Sequence, residues 1–165
     1  MDTGMPSHEE LLRHASFVRA IAREESSFNP RAVSWARAYG LVQIIMPTAR
    51  RFGRQIGVRV NRRTLRDPET NLRIGTHYMR FLFDRYRENP ALVPAAYNAG
   101  NGAVDRWLTE AGERSLDRFV EEIPYDETRR YTRRVLQTYG VYSWLDEGQL
   151  PEMPTGLPAA TVASR

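Results

Sequence analysis

Residues 23–34 read REESSFNPRAVS, and they close a segment with the apolar spacing of an amphipathic helix. Leu11, Val18 and Glu25 are seven positions apart, and Ala15 and Ala22 fill the same stripe, so all five share one helical face. The pattern therefore predicts a helix whose C-terminal end carries a carboxylate on the face directed towards the core.

The predicted start of this helix is a capping box formed by Ser7 and Glu10. At the other end, both loss of water and the partial negative charge of a helix C-terminus would raise the pKa of the Glu25 carboxyl. A raised pKa suits a general acid that works near neutral pH. The helical pattern leaves two alternatives open, which are a surface glutamate in a charged cluster and Glu24 as the acid.

Composition limits the classes of protein to which the chain can belong. Its 165 residues fit one domain with its own core, and the absence of cysteine excludes disulfides, thiolate metal sites and a cysteine nucleophile. All 24 basic residues are arginine and the net charge is +4, which favours anionic partners without choosing among them. The three histidines lack ligand spacing, so we expect no metal and no cofactor.

Helical patterns dominate, and apolar alternation with a period of two is scarce, so the predicted fold is all-α with little or no sheet. Further helices are predicted over residues 48–53, from Asp67 with Pro68 at its first position, over residues 89–100, and from Ser115 and Asp126. Pro94 should bend or shorten the helix that contains it.

We expect residues 1–146 to form the domain. Residues 147–165, rich in proline, alanine, threonine and glycine, are predicted to be disordered. The first twelve residues have neither the basic region nor the apolar run of a secretion signal, and no stretch is long enough to span a bilayer.

Four segments, in this order, resemble the catalytic domain of the soluble lytic transglycosylases, a goose-type-lysozyme-like family that cleaves bacterial peptidoglycan. They are REESSFNPRAVS, GLVQIIMPTA from Gly40, AAYNAGNGAV from Ala95 and EIPYDETRRY from Glu122. The segment DPETNLRIGTHYM from Asp67 is similar to the family's central helix. Each motif is weak alone, but four in order at family-like spacing are specific. The resemblance implies a lysozyme-like fold.

The resemblance also implies roles for individual residues. Glu25 matches the family's catalytic glutamate, which favours it over Glu24, and Ser34 and Gln43 match positions that contact the sugar near the scissile bond. Four more residues match groove-lining positions of the family: Tyr97, Asn98, Glu127 and Tyr131. Without the motif order, the two tyrosines could be core aromatics, Glu127 a helix-start charge and Gln43 a turn cap.

One departure from the family pattern lies in the second motif. Val42 stands where the family has methionine, and the Met46–Pro47 pair falls one place late. Because the length from Gly40 to Ala49 is preserved, we expect a locally rerouted backbone without loss of the groove.

The implied activity cleaves the β-1,4 bond between N-acetylmuramic acid and N-acetylglucosamine. Glu25 would protonate the glycosidic oxygen and then, as a base, take the proton of the C6 hydroxyl, which closes a 1,6-anhydro ring. Most glycosidases need two carboxylates, whereas only Glu25 has a convincing position here. The expected partner is the glycan strand of peptidoglycan, in the cell envelope or periplasm. The sequence is silent on oligomeric state, and a monomer is expected.

Three other interpretations stay open. One is a hydrolytic muramidase or chitinase on the same fold, and another is a binding or structural module that binds peptidoglycan without cutting it. The third is a nucleic-acid binder, suggested by arginine pairs such as Arg62–Arg63. No recognisable nucleic-acid motif supports it, so nucleic acid is not an expected partner.

Overall fold

The computed structural model describes residues 14–158, which form seven α-helices and one two-stranded sheet. This confirms the predicted all-α fold with little sheet. The elements in chain order are α1 (Ala15–Ser26), β1 (Ala38–Tyr39), β2 (Ile44–Ile45), α2 (Met46–Gln55), a 3₁₀ turn (Thr64–Arg66), α3 (Pro68–Arg85), α4 (Leu92–Ala99), α5 (Asn101–Ala111), α6 (Leu116–Glu121) and α7 (Asp126–Glu147). Backbone contacts divide the chain into two compact units, with the boundary between Arg80 and Phe81.

The first unit contains α1, the small sheet, α2 and most of α3. Its two strands are antiparallel, with Ala38 opposite Ile45 and Tyr39 opposite Ile44, and residues 40–43 form the connecting loop. Gly40 opens this loop with a φ of 76°, in the left-handed region that glycine adopts without strain. Side chains from every element of the unit are buried together, among them Phe17, Ala20, Ile21, Tyr39, Val42, Ile44, Phe52, Leu65, Ile74 and Met79.

Helix α3 begins as the sequence predicts. The Asp67 carboxylate accepts a hydrogen bond from the backbone N–H of Thr70 at 2.9 Å, which satisfies one free donor of the first turn. Hydrogen bonding to Thr70 also lowers the pKa of Asp67. Pro68 is the first helical residue, where its missing N–H costs no hydrogen bond.

In the second unit, α4 packs against α5 and α7. Leu92, Val93, Ala95 and Ala96 of α4 are fully buried. The helix begins at Leu92 rather than at residue 89, so Pro94 falls in the first turn, where backbone N–H groups have no helical partner. Pro94 is therefore accommodated in a shortened helix, one of the two outcomes expected.

The end of α3 is fastened to α5 by a polar cluster within the second unit. Arg85 forms a salt bridge with Asp105, and the Tyr86 hydroxyl bonds to the Asp105 carboxylate at 3.1 Å and to the carbonyl oxygen of Asn101 at 3.2 Å. Burial, together with the nearby Asp105 carboxylate, raises the pKa of Tyr86 above its ordinary value. The phenol therefore stays protonated as a donor at physiological pH.

Two helices differ from the sequence-based expectation. Helix α2 begins at Met46 and ends at Gln55, two residues beyond the predicted bounds at each end, because Pro47 fits the first turn. Helix α5 was not predicted at all. Only Gly100 separates it from α4. The glycine correctly indicates the end of α4, but it gives no sign that another helix begins directly after it.

Part of the segment predicted to be disordered, residues 147–165, belongs to the described structure and makes contacts there. Glu147 still belongs to α7, the carbonyl oxygen of Thr155 accepts a hydrogen bond from the Leu116 N–H at 3.1 Å, and Ser115 pairs with Gly156 as a β-bridge. The Leu116 N–H is a first-turn donor without a helical partner, which gives this part of the tail a binding position. Residues 159–165 lie outside the described part of the chain.

The capping box predicted at Ser7 and Glu10 also lies outside the described residues. Over residues 14–158, none of the helices combines the length and the apolar character that crossing a bilayer requires.

Candidate active site

Helix α1 ends in an unusual backbone conformation immediately after Glu25 and Ser26. Ser27 and Phe28 both have left-handed φ angles, 51° and 64°, which non-glycine residues adopt only at a cost in energy. The Ser27 N–H still bonds to the carbonyl oxygen of Arg23 at 3.0 Å. Strained residues of this kind cluster at functional sites because the surrounding structure must hold them in place.

The buried face of α1 differs from the one expected. Phe17, Ala20 and Ile21 are completely buried, whereas Val18 and Glu25 are half-buried. At 100° per residue, Val18 and Glu25 share one edge of the buried face instead of its centre. The expectation of a core-directed Glu25 therefore needs correction: its side chain is partly shielded and keeps one side accessible.

The end of α1 is tied to the loop between the two strands. The Ser26 hydroxyl donates to the carbonyl oxygen of Leu41 at 2.7 Å, and it also approaches the carbonyl oxygen of Ala22 at 3.2 Å. The residue next to Glu25 is thus fixed to the loop of residues 40–43. The family-like motifs around Glu25 and Gln43 are joined in space by this bond.

Asn71 of α3 holds the same loop from the other side. Its side chain is completely buried, its amide nitrogen donates to the carbonyl oxygens of Tyr39 and Leu65 at 2.9 Å each, and its amide oxygen accepts from the Val42 N–H at 3.0 Å. A Cβ atom on Gly40 would lie 2.4 Å from the Asn71 amide nitrogen. Asn71 is thus a positioning residue that motif reading missed, although it stands in the quoted DPETNLRIGTHYM segment.

Among the described residues, only the NH₂ group of the Gln43 side-chain amide makes hydrogen bonds. Its amide nitrogen donates to the carbonyl oxygens of Ala32 and Gly40, at 3.2 and 2.8 Å, and its backbone has a φ of 46°. Both amide protons are therefore engaged in holding the loop. Its amide oxygen has no donor among the described residues, so it can accept a hydrogen bond from a ligand.

Ser34 lies in a tight turn on the adjoining segment. Its side-chain oxygen accepts from the Ala38 N–H at 3.0 Å, and its own backbone N–H bonds to the carbonyl oxygen of Ala38 at the same distance. The Gly40 N–H bonds to Ala32 at 2.9 Å, so Ser34 and Gln43 are held on one hydrogen-bonded scaffold. No acceptor for the Ser34 hydroxyl proton occurs among residues 14–158, so this proton can be donated to a ligand.

Val42, the residue that departs from the family pattern, is completely buried. It faces Gly75 of α3, where an added Cβ atom would lie 2.4 Å from Val42 Cγ2. Val42 therefore packs into the gap left by a glycine and does not present its side chain to a ligand. The displaced residues that follow it are accommodated by β2 and by the early start of α2 at Met46.

In the second unit, Asn98 and the start of α7 are brought together. The Thr128 hydroxyl donates to the Asn98 side-chain oxygen at 2.6 Å. This leaves the exposed Asn98 amide group able to donate to a ligand. Thr128 is itself almost fully buried, and the sequence analysis missed it although it belongs to the ETRRY motif. Tyr97, next in the chain to Asn98, is half-buried.

Glu127 and Tyr131 lie one turn apart on α7 but in different surroundings. Glu127 is exposed in the first turn, where a helix favours negative charge. Tyr131 is only 4% exposed, so most of its ring is packed in the core and only an edge can meet a sugar. The geometry therefore favours the core-aromatic alternative for Tyr131.

Within residues 14–158, His, Asp and Glu side chains do not group in threes as a metal site requires. Metal independence stays a prediction. In the described part of the first unit, the half-buried Glu25 carboxyl lies at the end of a helix tied to a scaffold on which the Ser34 hydroxyl can donate and the Gln43 amide oxygen can accept.

Comparison with known proteins connects this geometry to a family. The sequence model described as "Transglycosylase SLT domain" matches residues 12–120. The chain is 39% identical over 141 residues to the soluble lytic murein transglycosylase of Escherichia coli K12, a match that covers 84% of this chain and 22% of that protein.

Two solved structures are similar. An inactive Glu-to-Gln mutant of the lytic transglycosylase Slt from Pseudomonas aeruginosa superposes with a TM-score of 0.83 and 31% identity, covering 94% of this chain and 27% of that one. The 70 kDa soluble lytic transglycosylase of Escherichia coli gives 0.78 and 34%, covering 87% and 25%. The chain spans about a fifth to just over a quarter of the length of these relatives. It belongs to the transglycosylase SLT domain family and has the all-α, lysozyme-like fold of these proteins.

Proposed function

We propose that the chain is a lytic transglycosylase that cleaves the β-1,4 bond between N-acetylmuramic acid and N-acetylglucosamine in peptidoglycan. Family membership supports this activity, since the relatives are named for murein and for lytic transglycosylation. The observation that carries the proposal is the hydrogen bond between Ser26 and Leu41. It fixes the end of α1, with Glu25, against the loop that carries Gln43.

The proposed acid and base is Glu25. As an acid it gives its proton to the glycosidic oxygen while the bond from that oxygen to the muramic C1 breaks, and the 2-acetamido group stabilises the positive anomeric carbon. As a base it then accepts the proton of the same sugar's C6 hydroxyl, whose oxygen bonds to C1. Tethering can give this hydroxyl an effective concentration of about 10⁵ M or more, so no water is consumed.

One carboxyl group fits the composition of the first unit. Between residues 14 and 80 the chain has four carboxylates, at Glu24, Glu25, Asp67 and Glu69. Asp67 caps α3 and Glu69 is exposed in its first turn. Glu24 precedes Glu25 directly on α1, and consecutive helical residues do not face each other. None of the three is therefore an evident second catalyst for the usual two-carboxylate reaction. The Pseudomonas relative, described as inactive after a Glu-to-Gln change, supports dependence on one glutamate.

The remaining predicted residues bind sugar in this proposal. Ser34 donates and Gln43 accepts a hydrogen bond on the scaffold that holds the end of α1. Tyr97, Asn98 and Glu127 are the proposed sugar contacts of the second unit. Tyr131 contributes at most its hydroxyl edge.

The partner is the glycan strand of peptidoglycan, met in the cell envelope or periplasm. We expect the chain to act as a monomer and without a metal or a cofactor.

Digestion of purified sacculi tests the function. Wild type should release fragments with 1,6-anhydro ends, which mass spectrometry separates from reducing ends by the loss of one water. Glu25→Gln should reduce release by about 10²–10⁴-fold, the contribution typical of a general acid. Glu24→Gln is the matched control and should retain activity, and thermal unfolding should be similar for all three proteins.

Other results would favour the alternatives. Fragments with reducing ends only would identify a hydrolytic muramidase. Binding to sacculi without release by wild type would identify a non-catalytic module. Loss of activity in Glu24→Gln, with activity retained in Glu25→Gln, would identify Glu24 instead of Glu25 as the catalytic acid.

A further inference from the structure

Trp35 is the most exposed large apolar side chain in the described part of the chain, at 95%. An aromatic residue of this kind leaves roughly 150–250 Å² of ring surface for contact with a ligand. The next residues in this respect, Leu145 and Leu150, are 68% and 67% exposed and belong to the second unit. Trp35 lies directly beside Ser34, one of the proposed sugar contacts.

The exposure of Trp35 is imposed by a rigid turn. The Arg37 N–H bonds to the carbonyl oxygen of Ser34 at 2.9 Å, and two further bonds join Ser34 to Ala38 at 3.0 Å each. Val33 and Tyr39 form a β-bridge at the base of the turn. Arg37 has a left-handed φ of 58°, so the turn is held in a strained conformation. Trp35 is thus presented to solvent by a fixed backbone.

The segment that contains the turn has only positive charges. No Asp or Glu occurs between Ser26 and Asp67, and Arg37 is exposed without an acidic partner among the described residues. The turn therefore offers an aromatic face and a guanidinium group within three residues. A muramic acid unit with its stem peptide has the matching chemistry, since its ring presents an apolar C–H face and its peptide carries carboxylates.

We propose that Trp35 and Arg37 form a binding subsite for a carboxylate-bearing N-acetyl sugar of the glycan strand, next to the unit bound at Ser34. The Trp35 ring stacks on the C–H face of the sugar, and the Arg37 guanidinium binds a stem-peptide carboxylate. This inference rests on the proposed function, because it assumes that the ligand is peptidoglycan. It adds a preference for charged over neutral strands.

Binding assays in the Glu25→Gln background test the subsite, since this variant should leave the strand intact. The probes are chitohexaose, which is neutral, and sonicated peptidoglycan fragments, which carry carboxylates. Trp35→Ala should weaken binding of both probes about tenfold, a loss between that of an ordinary interface contact and that of a hot spot. Trp35→Phe should retain part of the affinity. Trp144→Ala is the control, because Trp144 is 58% exposed but lies about 20 Å along α7 from Tyr131.

Arg37→Asn removes the guanidinium charge and leaves the Trp35 ring in place. Asparagine is chosen because it tolerates the left-handed φ of this position. It should weaken binding of peptidoglycan fragments by about twofold to fivefold, the range for a solvent-exposed ion pair, and leave chitohexaose binding unchanged. Arg87→Asn is the matched control, since Arg87 is exposed and has a φ of 51°.

The outcomes distinguish this subsite from the proposed function. If Trp35→Ala binds both probes as tightly as its parent, the subsite is refuted even where wild type releases anhydro fragments. If Arg37→Asn affects both probes equally, the carboxylate contact is refuted. If wild type releases no anhydro fragments, the function fails, and a loss of chitohexaose binding in Trp35→Ala still supports the aromatic contact.

Discussion

Replacement of Asn71 by alanine should destabilise the first unit strongly and disorganise the loop beside Glu25. Asn71 is fully buried and makes three hydrogen bonds, to Tyr39, Leu65 and the Val42 N–H. Alanine leaves these three backbone groups without that partner. Water cannot easily replace it, because the site lies inside the core.

The expected loss in unfolding free energy follows from the number of backbone groups that Asn71→Ala leaves without a hydrogen bond. A buried polar group left unsatisfied costs about 1–3 kcal/mol, and carbonyl oxygens with a second acceptor site lie at the low end. Two carbonyls and one N–H therefore give a loss of about 3–5 kcal/mol, a large share of the 5–15 kcal/mol typical of a folded domain. For a chain of this size the melting temperature should fall by about 6–20 °C.

Chemical denaturation of wild type, Asn71→Ala and Asn29→Ala measures the effect. Asn29 is the matched control because it is exposed and its side chain accepts one bond, from the Arg31 N–H at 3.0 Å. Its replacement should cost less than about 1 kcal/mol. At temperatures where Asn71→Ala remains folded, release from sacculi should also fall, since the loop carrying Gln43 loses its anchor.

Asn71→Asp tests which atoms matter. One carboxylate oxygen can still accept from Val42, but the other then faces the carbonyl oxygens of Tyr39 and Leu65. Burial and these acceptors raise the folded-state pKa of the new carboxyl above its unfolded value of about 3.9. The deficit relative to wild type should therefore be smallest below that pH and grow as the pH rises. A loss below about 1 kcal/mol in Asn71→Ala, or a deficit in Asn71→Asp that is independent of pH, would refute the reasoning.

Three further predictions concern packing, a side-chain hydrogen bond and a buried phenol. Gly75→Ala should lower the free energy of unfolding by about 1–3 kcal/mol, because its Cβ would lie 2.4 Å from Val42 Cγ2. A second substitution, Val42→Ala, should recover part of this loss in thermal denaturation. If the effects of the two single substitutions simply add, the contact is contradicted. Thr128→Val removes the donor to Asn98 at 2.6 Å and should lower sacculus cleavage with a stability loss of only about 1 kcal/mol; unchanged cleavage would exclude Asn98 from sugar binding. Burial raises the pKa of Tyr78 from 10.0 to about 12, so the stability contributed by the protonated phenol is complete below pH 10 and is lost as the pH rises towards 12. Tyr78→Phe should therefore lose less stability than wild type over this pH range. Identical curves of unfolding free energy against pH for the two proteins would contradict this prediction.

Local signals predicted most of the helical framework. The cap at Asp67 with Pro68, and the starts after Ser115 and at Asp126, depend on residues close in sequence, and each is confirmed. Such signals act within one helical turn, so they can be recognised without knowledge of the fold. The restart at Asn101 was missed because the glycine that ends one helix precedes the next one directly.

The supports of the site depend on contacts between residues distant in sequence. Asn71 reaches Val42 across 29 positions, and Thr128 reaches Asn98 across 30. Motif matching identified the residues proposed to meet the sugar, but it assigned no role to these two partners. Nor could it locate Glu25 at the edge of the buried face, because the helical periodicity fits two neighbouring stripes almost equally well.

The side chains proposed to bind sugar share a division of their hydrogen-bonding capacity. Gln43 uses both amide protons on the loop and keeps its oxygen, whereas Ser34 and Asn98 each use their oxygen on a neighbouring group and keep their protons. Each group is thereby fixed before a ligand arrives, which lowers the entropy lost on binding. In the first unit, Gln43 thus offers an acceptor and Ser34 a donor. An acetamido group has the complementary pair, and in the proposed function its N–H donates to Gln43 while its carbonyl oxygen accepts from the Ser34 hydroxyl. The hydrogen bonds that fix these two side chains therefore also set the polarity that they offer to a ligand.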